Sequence, residues 1–131
     1  MDRDILAWLK VASAVAATIW RETPVLVQIL CVVMLADIVT GMVAAGIERR
    51  LSSTVSLRGI ARKSVVLLLV GVAYLIGGHT GLPIAEPVVG FYIMHEGLSV
   101  LENAARIGVP VPEALRQAFD RFGEKRDDQH A

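Results

Sequence analysis

The side chains able to do chemistry gather in one otherwise apolar stretch, Phe91-Tyr-Ile-Met-His-Glu-Gly-Leu-Ser-Val-Leu-Glu-Asn103. On a helix, Glu96, Ser99 and Asn103 fall at i, i+3 and i+7, with His95, Ser99 and Glu102 on an overlapping strip, so the polar groups share one side. A carboxylate near the centre of a bilayer costs about 2.5–3.5 kcal/mol on insertion scales, so it faces a partner helix or water rather than lipid. A second acid, Asp37, stands in another apolar run. Asp37 with Gly41, and Thr40 with Ala36 and Ala44, form small-residue ridges at i, i+4 spacing, which allow close helix approach. Two readings of Asp37 stand: a wetted group near a helix end, or an interhelical or pore-facing acid. The His95-Glu96 pair does not make a zinc protease, because no second His lies four residues away and no nucleophile accompanies it. Cys31 is the lone cysteine, set in an apolar run where it packs as a small hydrophobe. No cofactor and no metal is implied.

The elements that must carry these groups are apolar helices. Of 131 residues, 54% are apolar but only 5% aromatic, an unusual balance for a soluble domain. The excess is bunched: Ser64–Gly78 and Pro24–Ala36 contain no charge. A formal net charge of zero argues against a nucleic-acid partner.

In chain order, Ile5–Trp20 is the weakest candidate span. It is short, and its six Ile, Leu or Val residues are worth roughly 2–4 kcal/mol of insertion, which Lys10 nearly cancels unless it snorkels. A surface-lying helix is the other reading, and a cleaved signal peptide a third that the Asp-Arg-Asp start disfavours. Pro24 opens Val25–Ile47, whose twelve Val, Leu or Ile residues outweigh Asp37. Glu48–Lys63, with Arg49, Arg50, Arg58, Arg62 and Lys63, reads as a basic cytoplasmic loop that meets anionic headgroups without specificity. Ser64–Gly78 is the plainest span, followed by turn chemistry from Gly77 to Pro83. Pro87–Leu101 follows. It inserts poorly alone because Glu96 offsets seven Val, Leu, Ile or Phe residues, so it calls for Val65–Ile76 or sister subunits as partner. After Gly108, Pro110 and Pro112 comes a helix with Leu115, Ala118, Phe119 and Phe122 on one face, then a disordered tail from Glu124.

The residues from Phe91 to Asn103, leading into Gly108-Val-Pro-Val-Pro112, resemble the phage lysis and toxin-secretion holin family. Asp37-Ile-Val-Thr-Gly41 is similar to that family's Asp-x-x-Thr-Gly element, and Ser52, Ser53, Gly59 and Lys63 match its Ser-Ser loop and following Gly and Lys. Together these cover Met34 to Phe119. His95 departs from the family's small or amide residue, and Gly77-Gly78-His79 from its acidic one. The resemblance implies a small phage or prophage protein of the bacterial cytoplasmic membrane. Such a protein assembles into homo-oligomers and opens lesions that release an endolysin, or in some relatives a toxin.

The expected fold is an all-α membrane protein of three to four transmembrane helices plus a short C-terminal amphipathic helix. Residues 1–108 form the membrane domain and 109–131 a cytoplasmic helix and tail. Four spans with the basic loop inside leave only Arg21 of thirteen Lys and Arg residues outside. If the first helix lies on the surface, three spans remain and the N-terminus changes sides. The helix-contact or pore-facing candidates are Asp37, Thr40, Gly41, Glu96, Ser99, Glu102 and Asn103, on the premise that one copy cannot satisfy its own polar strip. A small four-helix proton-coupled transporter using Glu96 or Asp37 is the alternative. It lacks a visible internal repeat. A soluble helical binding module is disfavoured by Ser64–Gly78.

Overall fold

The computed structural model describes residues 2–127, without the side chains of 54–56, 119 and 122–127. Those residues form α1 (Arg3–Glu22), α2 (Val25–Ile47), α3 (Ser53–Thr80), α4 (Ala85–Ile107) and α5 (Glu113–Asp127), with no strand among them. Helix ends follow local chemistry. Pro24 precedes α2, and glycines in the left-handed region close α3 (Gly81, φ 72°) and α4 (Gly108, φ 88°). Any residue with a Cβ would be strained at those two places.

The centre of the fold is α4 packed along α2. The two run parallel, each 23 residues and about 34 Å long, with α3 antiparallel against them. Their small apolar core is Leu30 and Met34 of α2, Val66 and Val70 of α3 and Val89 of α4. Most of the remaining Leu, Val and Ile face outward: Leu68 is 70% exposed, Val25 66% and Leu75 64%. An apolar exterior on this scale suits hydrocarbon rather than water. By length and composition two helical stretches, Val25–Ile47 and Leu57–Thr80, are fit to cross a bilayer. α1 stands apart, every residue of it exposed. Its end is held by Gln28, whose Nε2 donates to the carbonyls of Trp20 (2.7 Å) and Thr23 (3.0 Å).

Several expectations are corrected. The basic segment Glu48–Lys63 is not a loop: only 48–52 separate α2 from α3, and the cations of 53–63 ride on the first turns of α3. Arg, Lys, Leu and Ala favour helix, and charge sets topology without breaking it. The turn expected from Gly77 begins only at Gly81, with Gly77 and Gly78 helical. A Cβ on Gly77 would come within 3.0 Å of the Leu82 carbonyl oxygen, so that glycine admits the returning chain. The main partner of α4 is α2, not the Val65–Ile76 stretch. The tail expected from Glu124 is helical to Asp127, and residues 128–131 lie outside the described residues. The Phe119 and Phe122 side chains of the α5 apolar face also lie outside them.

Because Ser53 begins α3 and Thr80 ends it, single cysteines there test whether the helix crosses. In a Cys31→Ser background they label from opposite sides of the membrane with an impermeant thiol reagent. Labelling of both from outside would overturn a cytoplasmic α2–α3 connection.

Candidate functional site

Asp37 lies near the middle of α2 and Glu96 at the middle of α4, and between them reaches Lys63 of α3. The Lys63 ammonium donates to Asp37 Oδ2 at 2.7 Å and to Glu96 Oε2. All three side chains are largely withdrawn from solvent, at 13% exposure for Lys63, 18% for Asp37 and 5% for Glu96. Ion pairs this secluded repay desolvation only when their remaining lone pairs are also satisfied.

Asn103, two turns further along the same face of α4, does that work. Its Nδ2 donates to Asp37 Oδ1 at 2.8 Å, with Thr40 Oγ1 at 3.2 Å and the Asp37 carbonyl at 3.3 Å also in reach. Thr40 spends its own hydroxyl proton on the Ala36 carbonyl (2.8 Å), leaving a lone pair for the amide. Arg106 then fixes which way the amide points, donating from a guanidinium NH2 group to Asn103 Oδ1 at 3.2 Å. The same guanidinium grips Glu48 through two bonds, 3.0 Å and 2.7 Å, and holds that carboxyl below the usual carboxylate range. A continuous chain of polar contacts therefore runs from Glu96 in the interior to the exposed Arg106–Glu48 pair at the end of the unit. Among the described residues no buried side-chain nitrogen or oxygen lacks a partner.

That corrects the premise that one copy cannot satisfy its polar strip: Lys63 and Asn103 do so within the chain. Of the sequence candidates, Asp37, Thr40, Gly41, Glu96 and Asn103 come together. Ser99 and Glu102 line the groove beside them but make no hydrogen bond into the cluster. Ser99 donates back to the His95 carbonyl of its own helix (3.3 Å), and Glu102 is exposed. Sequence reasoning missed Lys63, Glu48 and Arg106 as cluster members. Lys63 carried a signal: it is the last charge before the uncharged run, placed where two mid-helix acids need a cation.

Gly41 faces Asn103 of the same chain, and a Cβ there would meet Asn103 Nδ2 at 3.4 Å. The ridge thus serves the α2–α4 contact within one copy. Gly41→Leu drives bulk into the amide and costs about 1–3 kcal/mol by overpacking, whereas Gly41→Ala is nearly neutral. Denaturant unfolding of the detergent-solubilised protein checks this, and a leucine variant as stable as the parent would mean that α4 does not lie there.

Towards the α2–α3 connection, α3 diverges from the α2–α4 pair and leaves a groove of about 580 Å³. Asp37, Lys63 and Asn103 form its inner end; Arg50, Arg62 and Glu102 line it nearer the opening.

Apolar residues outside and charges clasped within three packed helices define a small α-helical membrane protein. The chain belongs to the bacteriophage holin family, which it matches over residues 14–124. It is 37% identical over 123 residues to an uncharacterized protein of Halalkalibacterium halodurans, covering 88% of this chain and 91% of that one. An uncharacterized protein of Listeria innocua is 34% identical over 120 residues, covering 88% and 84%. A protein of Bacillus phage phi105 described as a probable holin is 36% identical over 90 residues, 67% of each chain. No solved structure matches.

Proposed function

We propose that this chain is a working holin: it accumulates in the bacterial cytoplasmic membrane, associates with itself and opens lesions through which an endolysin reaches the cell wall. The observation that carries the reading is that the family match over residues 14–124 contains every member of the buried cluster. In this reading α2, α3 and α4 cross the membrane, with the α2–α3 connection and α5 in the cytoplasm. α1 is a fourth span or lies at the interface.

Single copies with their charges clasped are tolerated by lipid and leave the membrane sealed. The clasp is also exchangeable, because Lys63 finds the same two carboxylates on a neighbouring copy, much as swapped elements do in other oligomers. As copies crowd, assemblies in which the cluster faces shared water compete with closed units. The result is a threshold in membrane concentration, as timed lysis requires. The cargo is a cell-wall hydrolase, or a toxin where no such hydrolase accompanies the gene.

The test is induced expression in a bacterium holding a cytoplasmic endolysin, following turbidity and membrane potential. Abrupt depolarisation followed by lysis supports the reading. A wild-type chain that never depolarises the membrane at any expression level would sink it, and a proton-coupled transporter using the midplane acids would take its place.

A further inference from the structure

We propose that the groove between the first turns of α3 and the α2–α4 pair is a binding site for the phosphate of an anionic phospholipid, with Arg62 and Arg50 as its ligands. This rests on the chain lying in a membrane but not on its forming lesions. Three observations carry it.

The first is charge. Four cations line the groove, and two of them are committed, Lys63 to Asp37 and Glu96, and Arg106 to Glu48. Arg50 and Arg62 are exposed and hold no direct ion pair among the described residues, Arg50 acting on Glu48 only at longer range than Arg106 does. Guanidinium groups match phosphate with paired N–H donors, which an ammonium does not.

The second is depth. Arg62 adjoins Lys63, which is bonded to Asp37, and beyond Asp37 the apolar run of α2 continues for about 15 Å, to Ile47. Arg62 therefore sits level with the apolar end of α2, whose Ile38 and Met42 line the same groove. An arginine at such a level is accommodated by snorkelling, by local thinning and by drawing polar groups inward. The groove gives that movement a defined path along the inner side of α3.

The third is size. About 580 Å³ holds a phosphodiester with its glycerol, and Ile60 and Leu51 supply apolar wall for the start of an acyl chain. Glu102, on the opposite wall, is in no direct ion pair but acts electrostatically on Arg106, and it selects against a second anion.

A headgroup seated here lies below its normal plane, so each copy thins the leaflet beside its own ion cluster. The experiment uses the purified full chain in an uncharged detergent, titrated with short-chain phosphatidylglycerol, short-chain phosphatidylcholine or inorganic phosphate. Thermal unfolding is the readout. Phosphatidylglycerol should raise the midpoint saturably, and Arg62→Gln combined with Arg50→Gln should weaken its binding by about tenfold or more, the loss expected for charge-assisted bonds. Arg21→Gln, on the remote α1, should change nothing. Both substituted residues are exposed, so the double variant folds, and its melting point without lipid confirms that. The proposal is overturned if phosphatidylcholine gives the same shift, if the double variant binds as tightly as the parent, or if inorganic phosphate alone reproduces the saturable rise.

Discussion

Replacing Lys63 by Met should lower the stability of the solubilised protein by about 3–5 kcal/mol, the loss typical when one member of a buried ion cluster is removed and its partners stay charged. Two carboxylates would remain in the interior, Glu96 at 5% exposure and Asp37 at 18%, with Asn103 left to answer Asp37 and the His95 ring, at 3.8 Å, left beside Glu96. The informative comparison is the neutral triple variant, Asp37→Asn with Lys63→Met and Glu96→Gln. It keeps the volumes and removes all three desolvation costs, so it should recover most of the lost stability. Unfolding of single, double and triple variants gives the coupling energy directly. If Lys63→Met alone falls by less than about 1 kcal/mol, the value of an exposed pair, then the ammonium does not hold the helices together.

Glu96→Gln should delay lysis greatly or abolish it while leaving the protein folded in the membrane. Two carboxylates share one ammonium, and His95 Nδ1 stands 3.8 Å from Glu96 Oε1, so with both acids ionised and the imidazole neutral the cluster holds one negative charge more than Lys63 balances. The amide removes that surplus and leaves Lys63 balanced by Asp37. Insertion improves, since an acid near the bilayer centre costs roughly 2.5–3.5 kcal/mol and an amide less. The closed single copy is favoured, and the drive to find water in an assembly is lost. Glu102→Gln, on an exposed residue outside the cluster, should lyse close to the wild-type schedule. Turbidity and membrane potential are followed with an endolysin present, and membrane fractions confirm equal accumulation. If Glu96→Gln lyses on time while Glu102→Gln does not, the acid that matters is at the helix end and not in the cluster.

The outlines of α2 and α4 and the polar strip of α4 were legible because apolar runs and i, i+3, i+7 spacing are local properties of a chain. Asp37, Glu96 and Asn103 stood out because each is expensive where it sits. The partners were harder. α2 and α4 run parallel with a whole helix between them in sequence, and no local pattern announces which of two apolar helices a third will choose. Lys63 was hidden by its neighbours: among Arg49, Arg50, Arg58 and Arg62 it reads as one more topological charge. Only the fold shows that α3 begins at Ser53 and turns Lys63 inward while Arg58 and Arg62 stay exposed.

The cluster also has an order of birth. Asp37 leaves the ribosome 26 residues ahead of Lys63, and Glu96 follows 33 residues after Lys63. The Asp37–Lys63 pair, one acid with one base, is therefore complete in the chain before Glu96 is made. Glu96 comes with α4, the last helix of the three and the one packed along α2. What arrives last can also leave without stranding a charge: if the Glu96 side chain alone is withdrawn, Lys63 keeps Asp37 at 2.7 Å, one ammonium to one carboxylate.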